Sequence, residues 1–257
     1  MLALYHLFSG NIGISQIPGG EFILEKTGDI DDKIHANRAV IVGTAFDANT
    51  PRQYNDVTTH TLWGEIAYQL GGVAGYKVME AADLSGVAPG SDTVVKLLEA
   101  HGPTLIIIDE LVAFARALYN SGRTPAGTFE SVMTFMQSLT EGVRRASDSL
   151  LLVSIPESEI EVGGEGGKAA LEILSNTIGR IESVWKPVTA TESFEIVRRR
   201  LFNSEIDHAA SDAVITAFQK MYAEGKGEYP TGVADGPYLA RLRAAYPIHP
   251  ELFDRLY

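Results

Sequence analysis

The sequence predicts an α/β protein built on a parallel sheet with flanking helices, followed by a smaller, helix-rich region. Short apolar runs alternate with segments of helical periodicity, the pattern of strand-helix-strand units. The run Leu105-Ile106-Ile107-Ile108 is apolar at every position, as expected of a strand covered on both faces. After Pro187 the strand-like runs stop and helical spacing continues.

Strands are expected at residues 39–43, 104–109, 149–155 and 183–188. Between the first two, Leu62, Trp63, Ile66, Ala67 and Leu70 recur at helical spacing, and Gly71-Gly72 supplies a stop. A second helix is expected over Ser91–Ala100. The strongest amphipathic stripe runs through Phe129, Val132, Met133, Phe135, Met136, Leu139 and Val143, which reads as a helix laid on the sheet. Thr189 with Glu192 forms a capping-box pattern opening a helix through Phe194, Ile196, Val197 and Leu201. Its Arg198-Arg199-Arg200 run reads either as a solvated basic face or as a place where one arginine meets a phosphate or a neighbouring subunit. A further helix is expected over residues 212–224, then a Gly/Pro-rich loop over 225–237. The expected organisation is an α/β core over residues 1–188 and a helical lid over 189–257.

Composition narrows the class. The chain has 257 residues, 45% of them hydrophobic, enough for a sizeable core, and no apolar run approaches the ~18 residues that cross a membrane. Residues 1–9 lack the basic flank and small-residue cleavage site of a secretory signal, and there is no cysteine, so a cytoplasmic, reducing compartment is expected. A formal charge of −12 argues against broad attraction to a nucleic-acid backbone.

The acidic pair Asp109-Glu110 ends the most apolar strand. Ligands of open parallel sheets bind at the carboxyl ends of the strands, and nucleoside triphosphatases place carboxylates there. Under that reading Asp109 orients magnesium through water and Glu110 polarises the water that attacks the γ-phosphate. The competing reading is a buried strand followed by a helix whose first turn favours acids. Ser154 ends the next strand, where such ATPases keep a polar residue that senses the γ-phosphate; it is also the kind of residue that simply ends a strand before Pro156. Thr44, just past the run Ala39-Val40-Ile41-Val42-Gly43, is placed to touch Glu110 and hold it inactive until nucleotide arrives. Arg180 precedes the last expected strand, the position of an arginine finger in oligomeric ATPases, or equally of a surface ion pair.

Gly163-Gly164-Glu165-Gly166-Gly167-Lys168-Ala169 looks like a phosphate-binding loop but fails its spacing. Val162 stands where the first glycine is required and Ala169 where Ser or Thr must follow the lysine. It reads as a flexible glycine loop opening a helix over residues 168–176. No His/Glu metal spacing and no Ser/His/Asp set is apparent.

Several segments together resemble one family: Thr61-Leu62-Trp63-Gly64-Glu65-Ile66-Ala67-Tyr68-Gln69-Leu70-Gly71, residues 105–115, the Gly163 to Gly167 run, Pro187-Val188-Thr189 with Glu195-Ile196-Val197-Arg198-Arg199-Arg200-Leu201-Phe202, and Tyr246-Pro247-Ile248-His249-Pro250-Glu251-Leu252. They are similar to large bacterial AAA+-like P-loop ATPases catalogued as a domain of unknown function, which occur in phage-defence islands of the BREX type and beside DNA methylases. The resemblance implies ATP and Mg2+ as ligands, Asp109-Glu110 as the Walker B pair, and work in a homo-oligomer or multi-protein complex, with DNA reached through other regions. It also implies that the Gly-Lys-Thr loop lies just before a segment like Leu2 to Phe8, so that the chain is an internal fragment or the product of a misplaced start. The central P-loop strand would then be missing from between the strands ending at Ser154 and Val188, and the chain alone should not turn over ATP.

Two other functions compete with an ATPase core. One is a non-hydrolysing regulatory or scaffold module that binds a protein partner through the lid. The other is a nucleic-acid translocase, which the acidic balance disfavours for this segment.

Overall fold

The computed structural model describes residues 1–28, 30–156, 163–178, 190–202, 206–225 and 227–256. The chain forms two compact units, Met1–Ser183 and Val184–Tyr257.

The first unit is a mixed α/β fold on a three-stranded parallel sheet. β1 (Asn37–Val42) pairs with β4 (Thr104–Asp109), and β4 pairs with β5 (Ser149–Val153), so that Val42 lies beside Asp109 and Ile108 beside Val153. β4 is in the centre, and it is the strand of the three whose side chains are buried on both faces from Thr104 to Ile108. Ile106 and Ile108 face the main core with Ala39 and Ile41, while Leu105 and Ile107 face the opposite side with Ala36, Tyr5 and Phe8. Each of the buried β4 side chains Leu105, Ile106, Ile107 and Ile108 contributes about 1.5–3 kcal/mol relative to exposure. The Tyr5 and Phe8 side is brought in by α1 (Leu2–Leu7), whose Tyr5 carbonyl accepts from Arg38 Nη1 at 2.8 Å. α2 (Gly20–Thr27) follows it.

The helices of the larger face carry the amphipathic stripes seen in the sequence. α4 (Ser91–Ala100) buries Val94, Leu97 and Leu98; α5 (Leu111–Leu118) follows the acidic pair; α6 (Phe129–Arg145) buries Val132, Met133, Phe135, Met136 and Leu139. α3 (Leu62–Ser85) corrects one expectation. Gly72, at φ 57° and ψ −142°, does break the first helical segment, yet the chain re-enters helix at once and runs to Ser85. The second segment returns past the first: Asp83 accepts from Thr61 N at 2.8 Å and from the Thr61 hydroxyl at 2.6 Å. Buried Tyr76, Met79 and Asp83 give that segment its own inward face.

α7 (Gly164–Ile178) corrects another. Residues 164–167 are not a loop before a helix starting at Lys168; they are the helix's first turns. A Cβ at Gly166 would lie 2.6 Å from the Tyr119 Cβ, so glycine there serves close packing on the chain just after α5. The strand expected at residues 183–188, and with it its detachment from β5, lies outside the described residues. So do Thr189 and its capping box. Among the described residues no strand pairs with the outer edge of β5, and Leu150 on that strand is exposed. The outer edge of β1 is closed differently: the Gln69 side chain accepts from Val40 N at 2.7 Å and donates to Val40 O at 3.1 Å, as a neighbouring strand would.

The short hairpin β2 (Arg52–Gln53) and β3 (Thr58–Thr59) was not expected from the sequence. It closes over Glu65, which is fully buried and accepts from Thr59 Oγ1 at 2.6 Å, Tyr54 OH at 2.6 Å, Gln69 Nε2 at 2.8 Å and Arg52 Nη1 at 3.0 Å.

The second unit is helical: α8 (Ala190–Leu201), α9 (His208–Glu224), α10 (Gly236–Ala245) and α11 (Pro250–Leu256), around Phe194, Ala245 and Phe253. α9 starts before residue 212 because Asp207 caps it, accepting from Ala210 N at 3.0 Å. Arg199 and Arg200 are exposed on α8. No helix among the described residues is long and apolar enough to cross a membrane.

Burial acts to raise the Glu65 carboxyl, but the bonds from Thr59, Tyr54 and Gln69 and the Arg52 charge outweigh it, and the net effect holds it below the ordinary Glu range. Its stabilisation is therefore complete above that range and is lost as pH falls through the lowered folded-state value. Glu65→Gln should flatten the loss of stability below about pH 5, read from urea midpoints across a pH series. At neutral pH, Glu65→Ala should cost about 3–5 kcal/mol, because Arg52 and three neutral donors lose their acceptor.

Candidate functional site

The carboxyl ends of β1, β4 and β5 bring together four of the residues singled out in the sequence. Asp109 is the last residue of β4, and Glu110 follows it as the N-cap of α5. From β5, Ser154 continues the ladder one residue past the strand, its N–H donating to Ile108 O at 3.0 Å. Its hydroxyl donates to Asp109 Oδ1 and accepts from Glu110 N at 3.1 Å. From β1, the Gly43–Ala45 turn presents Thr44, whose hydroxyl donates to Glu110 Oε2. Arg180 lies outside the described residues.

Glu110 is held in a costly conformation. Its φ is 54° and ψ 32°, and among the described residues the other positive-φ positions that are not glycine are Asn120 and Asp148, types that tolerate the left-handed region. For a glutamate this costs about 1–3 kcal/mol, and such strain persists where surrounding contacts fix it. Here the fixing contacts are the bonds from the Glu110 amide to Ser154 Oγ and to Asp109 Oδ1, 3.1 Å each, and the Thr44 hydroxyl on its carboxylate.

Gly43 completes the site and was not singled out in the sequence. A Cβ there would lie 2.1 Å from the Glu110 carbonyl oxygen, so the β1 and β4 ends approach this closely only with glycine between them. Its signal is a glycine directly after an apolar strand, a feature shared with many ordinary turns.

One oxygen of each carboxylate is committed: Asp109 Oδ1 to Ser154 and Glu110 Oε2 to Thr44. Asp109 Oδ2 and Glu110 Oε1 receive no hydrogen bond among the described residues. These are hard oxygen donors on an exposed edge, which suits Mg2+, an ion held through one or two carboxylates, its waters and substrate phosphates. No group of three or more metal-ligating side chains is found among the described residues, so an all-protein cage of the kind calcium or zinc takes is not present there.

A cavity of about 380 Å³ opens on the Thr44 side, lined by Gly43, Thr44, Phe46, Asn49, Arg116 and Arg123 among others. It flanks the acidic pair and does not contain it. Arg123 also donates to the Ser85 carbonyl oxygen.

Fold and site together define an α/β protein with an acidic pair at the carboxyl edge of a small parallel sheet. Residues 25–196 match the DUF499 N-terminal domain, more than half of the chain, and the chain belongs to that family. No curated protein and no solved structure matches it.

Gly43→Ala should destabilise the first unit by about 1–3 kcal/mol or more through overpacking. In amide spectra its largest perturbations should fall on residues 43–45 and 110–112, with β5 little changed.

Proposed function

We propose that this chain is the magnesium and water-activating part of an AAA+-like P-loop ATPase, acting in the cytoplasm within a larger complex tied to phage defence or DNA modification. One observation carries the reading: the acidic strand β4 lies between the strand that supplies Thr44 and the strand that supplies Ser154, and all three deliver polar side chains to one edge. A buried strand that merely preceded an acidic helix start would not explain a glutamate in the left-handed region tied to residues from both neighbours.

Bound magnesium would neutralise charge on the phosphates. Asp109 would hold the ion through its uncommitted oxygen, and Ser154 keeps that carboxylate oriented. Glu110 takes the proton of the attacking water as general base. Thr44 occupies one Glu110 oxygen in the resting state, and its release makes the full carboxylate available. Arg180 reaches the transferred phosphoryl group of a neighbouring subunit in a homo-oligomer. The second unit acts as the lid, and DNA is met by other parts of the assembly.

The phosphate grip is not among these residues, since no segment of the 257 has a P-loop's glycine and Gly-Lys-Ser/Thr spacing. In this reading a Gly-rich loop and its strand come from elsewhere in the polypeptide, and the outer edge of β5 is the slot that receives the strand. The same missing grip favours a second reading, a regulatory or scaffold module that binds a protein partner without hydrolysis.

Turnover separates the two. ATP hydrolysis by a polypeptide that includes an upstream Gly-rich loop should fall by about 10²-fold or more in Glu110→Gln, the usual range for a lost general base. Equal rates for the two proteins would remove Glu110 from the chemistry. The 257-residue chain alone should show no turnover and no tight magnesium-ATP binding; either one would overturn the proposed division of the site.

A further inference from the structure

We infer that Arg52 is a positioning residue for Glu110: anchored on the buried Glu65 carboxylate, it fixes the turn that presents Thr44. This sets whether Glu110 is held or free. The inference deepens the proposed function and rests on its reading of Glu110 as the water-activating carboxylate.

Arg52 uses its two terminal nitrogens on two different elements. Nη1 donates to Glu65 Oε1 at 3.0 Å, and Nη2 donates to the Ala45 carbonyl oxygen at 3.2 Å, the residue next to Thr44. A planar guanidinium holds both acceptors at fixed separation, which a point-charge ammonium cannot do. The guanidinium also lies over the Phe46 ring, 4.7 Å from its centroid. Phe46 in turn meets Phe114 edge-on at 5.4 Å, and Phe114 belongs to α5, the helix that Glu110 caps. The turn is thus gripped on both sides of Thr44, by Gly43 against the Glu110 backbone and by Arg52 at Ala45 and Phe46.

Glu65 makes the grip rigid. It has no exposed surface, and its other acceptor contacts reach Tyr54 and Thr59 of the hairpin and Gln69. Gln69 is itself bonded to both backbone groups of Val40 on β1. The carboxylate therefore references the turn to the strand that precedes it. The Arg52 side chain, by contrast, is 34% exposed. Of the ion pair Glu65–Arg52 it is the side chain that solvent or a partner's anionic group can reach, and drawing it away from the exposed Ala45 turn would loosen Thr44.

The test uses the 257-residue chain and needs no ATP, so failure of the nucleotide reading and failure of this inference remain distinguishable. The side-chain carboxyl 13C resonance of Glu110 reports the Thr44 hydrogen bond. Thr44→Val should shift it, and Arg52→Ala should shift it in the same direction. The double variant should match Thr44→Val alone, because both changes remove one contact. Arg52→Lys keeps the charge beside Glu65 but cannot also reach the Ala45 carbonyl. It should retain the β4 amide pattern and still shift the Glu110 resonance, which supports positioning even if Arg52→Ala fails to fold. An unmoved resonance in Thr44→Val or in Arg52→Lys, or additive shifts in the double variant, would overturn the inference.

Discussion

The structure depends on the burial of one strand on both faces. β4 has no solvent side, so Leu105 to Ile108 must all be apolar, and no polar group can be placed along its length without losing hydration. Charge is allowed only where the strand emerges, whereas the buried Thr104 at its other end is a neutral hydroxyl paired with Ser149 Oγ. Asp109 and Glu110 occupy that point, and the parallel register brings the exits of β1 and β5 level with it. The location of the acidic cluster is thus a consequence of how the sheet is buried, before any chemistry is considered.

What the site does with that location is costly to stability. A left-handed glutamate and a glycine required at the neighbouring strand end are each less favourable than an ordinary strand-to-helix turn. The neighbouring buried Glu65 is costly too, since its desolvation must be offset by every donor around it. That two such arrangements occur side by side, joined through Arg52, is more naturally explained by a requirement on Glu110's position than by fold stability alone.

Much of the fold was legible in the sequence where local pattern decides structure. The all-apolar run of β4, the α4 and α6 stripes and the glycine break at Gly72 have short-range signatures. So did the convergence of Asp109, Glu110, Ser154 and Thr44, because parallel strand order places strand ends together. The remainder depends on long-range partners. Glu65 sits in a helical stretch where a charged residue is normally solvated, and only the folding back of Arg52, Tyr54 and Thr59 explains its burial. The helix after Gly72 is not legible in the sequence because the partner of its buried Asp83, Thr61, lies far back in the chain. The glycines of α7 looked like a flexible loop because their reason, the closeness of Tyr119, is tertiary.

This edge of the sheet is proposed to be the magnesium and water side of a nucleotide site. The most direct measurement is the structure of a polypeptide carrying the upstream Gly-rich loop, bound to magnesium and a non-hydrolysable ATP analogue. Expected there are the ion's water shell hydrogen-bonded to Asp109, Thr44 withdrawn from Glu110, and a water in line with the terminal phosphoryl group about 2.6–3.2 Å from the Glu110 carboxylate. Nucleotide phosphates bound away from the ends of β1, β4 and β5, with the Thr44–Glu110 and Ser154–Asp109 contacts unchanged, would contradict it.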